Sequence, residues 1–246
     1  MDEGSAWTFK QGEWQDQQWP EADALITDPP YSARVEKGAR SQTDTAAQTV
    51  TYGALDAGEP EEIARVFSPL VRHWAIVFCD HETHPAHAAA WDACGWYTFA
   101  PVAWVKTDAP PRFTGDGPTS SVEYLMIARP RERLNRWRTG SRPGHYIVGG
   151  RGRSAGKGRR AAGHKDPLDL AKLISDYTQP RDLILDPYGG TATVGAAAIP
   201  RGRFYQGSEA DPDTHASGAD RLREVTAAPL LPLFSPPHKV GQGELW

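Results

Sequence analysis

Cysteine is nearly missing from this chain: Cys79 and Cys94 are the only two in 246 residues. A disulfide framework, the usual support of small secreted domains, is therefore not expected. No run of eighteen apolar residues occurs, and the N-terminal stretch lacks the basic-then-apolar layout of a secretory signal. These absences lead to the expectation of a cytoplasmic chain that makes no membrane contact. The pattern G-x-G-x-x-G is absent, as is a Gly-Lys-Ser/Thr triplet, so nicotinamide and nucleoside-triphosphate binding lose their main support. The length suffices for one large domain with a full core.

What is present is unevenly distributed. The formal net charge is −4, yet residues 129–165 hold twelve Lys or Arg against the single acid Glu132, which leaves the rest of the chain near −15. An acidic body with one basic segment suits a polyanion, because Lys and Arg displace counterions along a phosphate backbone. A solvated charge run is the plainer alternative. Within the segment, Arg136, Trp137, Arg138, Arg142, Arg151, Arg153, Lys157, Arg159 and Arg160 are the candidate nucleic-acid contacts. Trp137 and Tyr146 serve there either as stacking residues or as a small hydrophobic anchor.

Alternating apolar runs and amphipathic stretches predict an α/β sheet. Strands are expected at 5–12 (an edge), 23–27, 74–78, 98–105, 122–128, 183–185 and 204–207. Helices are expected at 61–70, from an Asp80 N-cap towards Ala93 with Gly95 as the stop, from Pro167, at 194–199 and at 213–226. Leu168, Leu170, Ala171, Leu173 and Ile174 supply the apolar face of the helix that Pro167 opens. Residues 32–58 read as a long loop and the Pro-rich end from 229 as a surface tail.

Two strings carry the chemistry. The run Ala24-Leu25-Ile26-Thr27 leads into Asp28-Pro29-Pro30-Tyr31, and Leu183-Ile184-Leu185 leads into Asp186-Pro187-Tyr188-Gly189-Gly190-Thr191. Both Asp residues thus fall where a buried parallel strand meets its C-terminal loop, the ligand-binding edge of open α/β sheets. Asp-Pro-Pro fixes two φ angles and removes two donors, so it presents acceptors only. Acceptors held beside the Tyr31 ring suit a planar group with an exocyclic amine, with Asp28 and the Pro29 carbonyl taking its protons. A tight turn is the plainer reading of the tetrapeptide alone. The second string has the makings of a strand-to-helix turn that a ligand approaches closely, and Glu209, after the next strand, is placed to accept two ribose hydroxyls.

Together these residues resemble the S-adenosylmethionine-dependent amino-methyltransferases of DNA, which act on adenine N6 or cytosine N4. Asp28 to Tyr31 matches that family's catalytic string. Asp186, Pro187, Tyr188, Gly190, Thr191 and Thr193 fall on its cofactor loop, and Glu209 on its ribose-binding acid. Arg221-Leu222, Trp104-Val105-Lys106 and Glu123-Tyr124 resemble further family segments. The catalytic string comes first, which is the order of the beta group, and in that group the segment between the two strings reads the target sequence. Ala192 and Val194 replace the usual Gly and Thr. His164-Lys165-Asp166-Pro167 has the composition of the family's His and Lys-Pro pattern with the Lys displaced by one place; Lys165 and Asp166 are carried over as cofactor contacts on that basis.

The resemblance implies a Rossmann-like, mostly parallel seven-stranded sheet spanning 1–228, with a basic recognition insert at about 129–165 and a tail at 229–246. It implies S-adenosylmethionine as cofactor, duplex DNA with a flipped base as substrate, and N6-adenine as the target, because Asp stands first in the catalytic string. Cytosine N4 is the alternative, and a non-catalytic nucleic-acid-binding protein the alternative of another class. A recognition segment this rich in Gly and Arg predicts relaxed or short-site specificity. A dimer is among the allowed oligomeric states.

Three further features have plain readings. His81, His84 and His87 mark a helix start with solvated imidazoles rather than a metal site. Cys79, Trp91, Trp96 and Trp104 are core residues. Gln242-Gly243-Glu244-Leu245-Trp246 resembles the short peptides that bacterial sliding clamps bind, with a free tail as the simpler reading.

Overall fold

The computed structural model describes residues 5–32, 56, 58–109, 111, 115–132, 142–149 and 165–227. The centre of the fold is set by two runs that are apolar on both faces: β2 (Ala22–Thr27) and β3 (Val71–Cys79). Alternation divides their side chains between two cores. Ala24, Ile26, Trp74, Ile76 and Phe78 enter one with Leu170, Leu173 and Ile174, while Leu25, Ala75 and Val77 enter the other with Ile63, Phe67 and Trp91. Each fully buried Ile or Phe contributes roughly 1.5–3 kcal/mol. A strand buried on both sides demands helices above and below, hence three layers.

One layer holds α1 (Glu59–Phe67) and α2 (His84–Ala93); the opposite layer holds α3 (Pro167–Tyr177), α4 (Thr193–Ala198) and α5 (Pro212–Ala227). Between them lie β1 (Trp7–Gln11), β2, β3, β4 (Trp96–Thr98), β5 (Val102–Lys106), β6 (Val122–Pro130), β7 (His145–Val148), β8 (Leu183–Asp186) and β9 (Phe204–Glu209). The sheet order is β1-β9-β8-β2-β3-β6-β5-β7, with β4 also on β6. Among the described strands only β6 runs against the rest.

The mostly parallel α/β sheet is as expected, with nine described strands in place of seven. The difference has local causes. The stretch expected as one strand over 98–105 is two, β4 and β5, which lie end to end along β6 and part at 99–101, where Pro101 offers no donor. Strand β7 falls inside the basic segment and adds to the main sheet beside β5, with Tyr146 opposite Trp104. A short 3-10 turn, Trp14–Asp16, also escaped the sequence reading; it buries Trp14.

Two helix details differ as well. Asp80 does not cap α2. Its carboxylate accepts from the backbone N–H of Glu82 (2.8 Å) and Thr83 (2.7 Å), closing a turn of its own, and the helix begins at His84 with Thr83 as N-cap. Leu168, in the first turn of α3, is 56% exposed and takes no part in the buried face of that helix. Among the described residues, no helix is long and apolar enough to cross a membrane.

Candidate active site

The order of the sheet reverses between β8 and β2, two parallel neighbours from opposite ends of the chain. Their carboxyl ends carry the two strings, which therefore meet at the switch point, where a crevice forms in this class of sheet. Thr27 joins them. Its hydroxyl donates to Asp186 Oδ1 at 2.9 Å and accepts from the Tyr188 N–H at 3.3 Å. The sequence reading passed over Thr27, which looked like the polar end of an apolar run.

The Gly-rich turn is tightly determined. Gly189 N–H donates to the Ser208 carbonyl (2.8 Å), Ala192 N–H to the Gly189 carbonyl (2.7 Å) and the Ser208 hydroxyl to the Pro187 carbonyl (2.8 Å). A Cβ on Gly189 would lie 2.5 Å from Phe9 Cε2 and 2.9 Å from the Ser208 carbonyl, so only glycine fits. Gly190 has φ +54° and faces open space, with no atom within 4 Å of a built Cβ. Ala192, also at φ +54°, holds a left-handed conformation that glycine would adopt with less strain. Tyr188 is fixed through its hydroxyl, which accepts from Trp14 Nε1 (2.7 Å) and donates to Glu59, tying the turn to α1.

Two buried carboxylates face this turn. Glu209, 4% exposed, accepts from Gly190 N–H at 2.9 Å on one oxygen and from Asp211 N–H at 2.9 Å on the other. Asp186, 1% exposed, accepts from Thr27 and from Tyr205 (3.2 Å). Burial pushes the Asp186 carboxyl up to about 7, with the charges of Asp28 and Glu209 adding to the effect and the two hydrogen bonds opposing it. Open space before a glycine, flanked by two buried acids, fits a ligand that brings positive charge and hydroxyl donors. Thr193 accepts from Arg221 Nη1 at 3.0 Å, which anchors α4 to α5. Thr191 lies in the same turn, half-buried.

Across the crevice, Asp28 lies deep but keeps 33% of its side chain accessible. The Tyr31 hydroxyl donates to its Oδ1 at 3.0 Å, and Lys165 Nζ contacts its Oδ2. Lys165 also lies 3.3 Å from the Tyr31 hydroxyl, 3.5 Å from Glu123 Oε2 and 4.2 Å from the Phe78 ring centroid. Glu123 in turn accepts from Lys106 Nζ at 2.8 Å. Glu123 arrives here because β6 runs backwards and so begins at the edge where β3 ends. Burial raises the Asp28 carboxyl above the usual range; Lys165 offsets only part of this. Burial also raises Tyr31, which stays a neutral phenol. The loop end is tied down through Ser32 N–H, which donates to Asp80 at 2.9 Å. Pro29 is buried and Pro30 half-buried between these anchors.

Other expected residues fall elsewhere. Lys165 stands against Asp28, and Asp166 is the N-cap of α3, accepting from Leu168 N–H at 2.9 Å. Arg142 donates from Nε to the Asp176 carbonyl at 2.9 Å and stacks 4.4 Å from the Trp74 ring centroid. Tyr146 is buried and donates to Asp176 Oδ2 at 2.9 Å, so of its two readings the structural anchor is the one seen. Arg136, Trp137, Arg138, Arg151, Arg153, Lys157, Arg159, Arg160 and the 242–246 peptide lie outside the described residues. Trp91, Trp96, Trp104 and Cys79 are core residues as expected, and burial pushes the Cys79 thiol up to about 12. The imidazoles are not all solvated: His84 and His87 lie on the buried face of α2, and burial holds His87 down at about 4.

No family model matches the chain. It is 29% identical to the type II methyltransferase M.XycI of Xanthomonas campestris pv. cyanopsidis over 143 residues, covering 52% of this chain and 45% of that one. It is 37% identical to M.HinfI of Haemophilus influenzae over 89 residues, covering 34% and 25%. The chain spans less than half the length of these curated relatives. Among solved structures, the M1.HpyAVI–SAM complex superposes with a TM-score of 0.67 at 21% identity, covering 88% of this chain and 98% of that one. PvuII DNA methyltransferase (cytosine-N4-specific) superposes with a TM-score of 0.61 at 14% identity, covering 90% of each. The fold is thus the Rossmann-like fold of these methyltransferases, and the resemblance read from the two strings is upheld.

Proposed function

We propose that this chain, which carries the fold and both signature strings of the amino-methyltransferases, transfers a methyl group from S-adenosylmethionine to an exocyclic amine in DNA, with adenine N6 as the acceptor. The observation that carries the reading is the meeting of Asp28 and Asp186 across the switch point, joined through Thr27. It brings an amine-accepting loop and a ligand-ready glycine turn to the same crevice.

The site suits the cofactor. Glu209 is the acceptor for ribose hydroxyls, and Asp186 and Gly190 border the open space in front of the turn. The two buried acids favour a cationic ligand, which S-adenosylmethionine is. When bound, it supplies an electrophilic methyl on a sulfonium. The resemblance also puts Lys165 and Asp166 at the cofactor; here Lys165 contacts Asp28, and Asp166 caps α3.

The chain's own residues do the rest. An amine conjugated to a base ring is a weak nucleophile because its lone pair is delocalised. Asp28, as a carboxylate, accepts one N–H and the Pro29 carbonyl accepts the other, which draws the nitrogen towards sp³ geometry and aims its lone pair across the crevice. The Tyr31 ring stacks on the base. Positioning of the two reactants supplies much of the rate. A paired base cannot reach Asp28, so the target is flipped out of the duplex. The basic segment contacts phosphates and imposes little sequence preference. Type II relatives and the N4-specific structural neighbour support DNA as the substrate class.

The test is incubation with labelled S-adenosylmethionine and unmethylated duplex DNA, followed by nuclease digestion and nucleoside mass spectrometry. N6-methyldeoxyadenosine is expected. N4-methyldeoxycytidine would keep the reaction and change the base; no label in DNA would overturn the proposal.

A further inference from the structure

Both acceptor atoms of Asp28 are already taken by groups of this chain: Oδ1 by the Tyr31 hydroxyl and Oδ2 by Lys165. A target amine that approaches Oδ2 therefore competes with a donor that is itself a nitrogen bearing protons. Lys165 has somewhere to go. Glu123 Oε2 is buried, makes no hydrogen bond and lies 3.5 Å from Lys165 Nζ, so a shift of under about one ångström completes a hydrogen bond there. The other oxygen of Glu123 is held at 2.8 Å by Lys106, which keeps the second berth fixed whichever way Lys165 points. The Phe78 ring lies 4.2 Å from the ammonium and favours a cation there.

We propose that Lys165 is a positioning residue that acts through Asp28: its ammonium keeps the carboxylate in its accepting, ionised form while the pocket is empty, and passes to Glu123 when the target amine takes its place. The inference rests on Asp28 being the acceptor for that amine. The physical need is plain. Asp28 and Glu123 are two carboxylates in one poorly solvated pocket, and without a cation between them one takes up a proton. A protonated Asp28 presents a donor where the amine needs an acceptor. Among the described residues, the groups facing Asp28 are Lys165 just before α3, Glu123 from β6, Tyr31 from its own loop, Cys79 at the end of β3 and Asp186 across the crevice. Lys165 is the one cation in that set among the described residues, and Lys106 reaches it only through Glu123. Burial works against the charge on Lys165, but the two carboxylates raise its pKa, so it remains an ammonium in either berth.

The test uses the whole chain as wild type and as K165M, K165R and E123Q. Asp28 is titrated by carbon-detected NMR of its carboxyl, and kcat/KM for methyl transfer is followed against pH. In K165M the Asp28 titration and the acid limb of kcat/KM move up together by one pH unit or more, which is about a tenfold loss on that limb for each unit, with recovery at high pH. Arginine restores both. E123Q moves the Asp28 titration down, and because the second berth is weakened it raises KM more than it lowers kcat. An unchanged Asp28 titration in K165M, or a loss of rate at every pH with no movement of the acid limb, overturns the inference. Should K165M fail to fold, K165Q, which removes the charge and keeps a polar end, decides by the same Asp28 titration. A wild type that transfers no methyl to DNA overturns the proposed function, whereas the carboxyl titrations still decide this inference.

Discussion

Replacing Thr27 by valine removes one hydroxyl and keeps the branched shape that β2 requires. The hydroxyl donates to Asp186 Oδ1 and accepts from Tyr188 N–H, both inside the crevice. T27V therefore leaves one carboxylate oxygen and one backbone N–H without these partners. A buried polar group left unpaired costs about 1–3 kcal/mol. At about 2–4 °C per kcal/mol for a chain of this size, a fall in Tm of roughly 2–12 °C follows for each group left unpaired. The pH dependence makes the reasoning sharper. Burial raises Asp186 to about 7, so between its ordinary value near 4 and about 7 the folded state holds a proton that the unfolded state has lost, and stability falls as pH rises through that window. Losing the Thr27 hydrogen bond raises Asp186 further and extends the window upwards. The destabilisation by T27V is thus smaller at pH 5.5, where Asp186 is protonated in both proteins, and larger at pH 8.5, where only the wild type has completed its ionisation. Urea unfolding of both proteins at the two pH values measures this directly. An equal loss at pH 5.5 and pH 8.5 would refute the idea that Thr27 serves the charged form of Asp186.

Asp28→Ala is expected to abolish methyl transfer while DNA affinity, measured by fluorescence anisotropy, changes little; retained transfer would remove Asp28 from its role. Glu209→Gln weakens charge-assisted bonds to Gly190 and Asp211 and to ribose hydroxyls. A loss in cofactor affinity of about 10–100-fold is expected by calorimetry, in line with 1.5–3 kcal/mol for hydrogen bonds to charged groups. Gly189→Ala forces a methyl to 2.5 Å from Phe9 and 2.9 Å from a backbone carbonyl. It should cost about 1–3 kcal/mol in a denaturation experiment, as overpacking does, and reduce cofactor binding as well. Tyr188→Phe strands the Trp14 indole N–H; a loss of about 1 kcal/mol in the same experiment is expected.

The carboxyl-terminal placement of both Asp strings was legible because a doubly buried strand has a signature that does not depend on its partners: Leu25-Ile26 and Ile184-Leu185 are apolar on consecutive positions. The break between β4 and β5 was missed because a proline within a β-rich stretch marks a discontinuity without showing that both halves share one neighbour. Strand β7 was hidden by charge: four residues, His145 to Val148, offer too short a pattern to stand out from a basic segment. Asp80 reads as a helix cap and is not one, whereas Asp166, which reads as a cofactor contact, caps α3.

The sequence by itself determined the α/β class, the positions of the two loops and the chemical character of each, since these follow from local apolar patterning and from backbone restrictions at Pro and Gly. The tertiary structure decided which charged groups share the crevice. Lys165 and Glu123 lie 42 positions apart, and Asp28 is 137 positions from Lys165, yet the three meet because an antiparallel β6 and the start of α3 reach the same sheet edge. No local pattern encodes that meeting. It depends on the direction of one strand, which is a property of the assembled sheet.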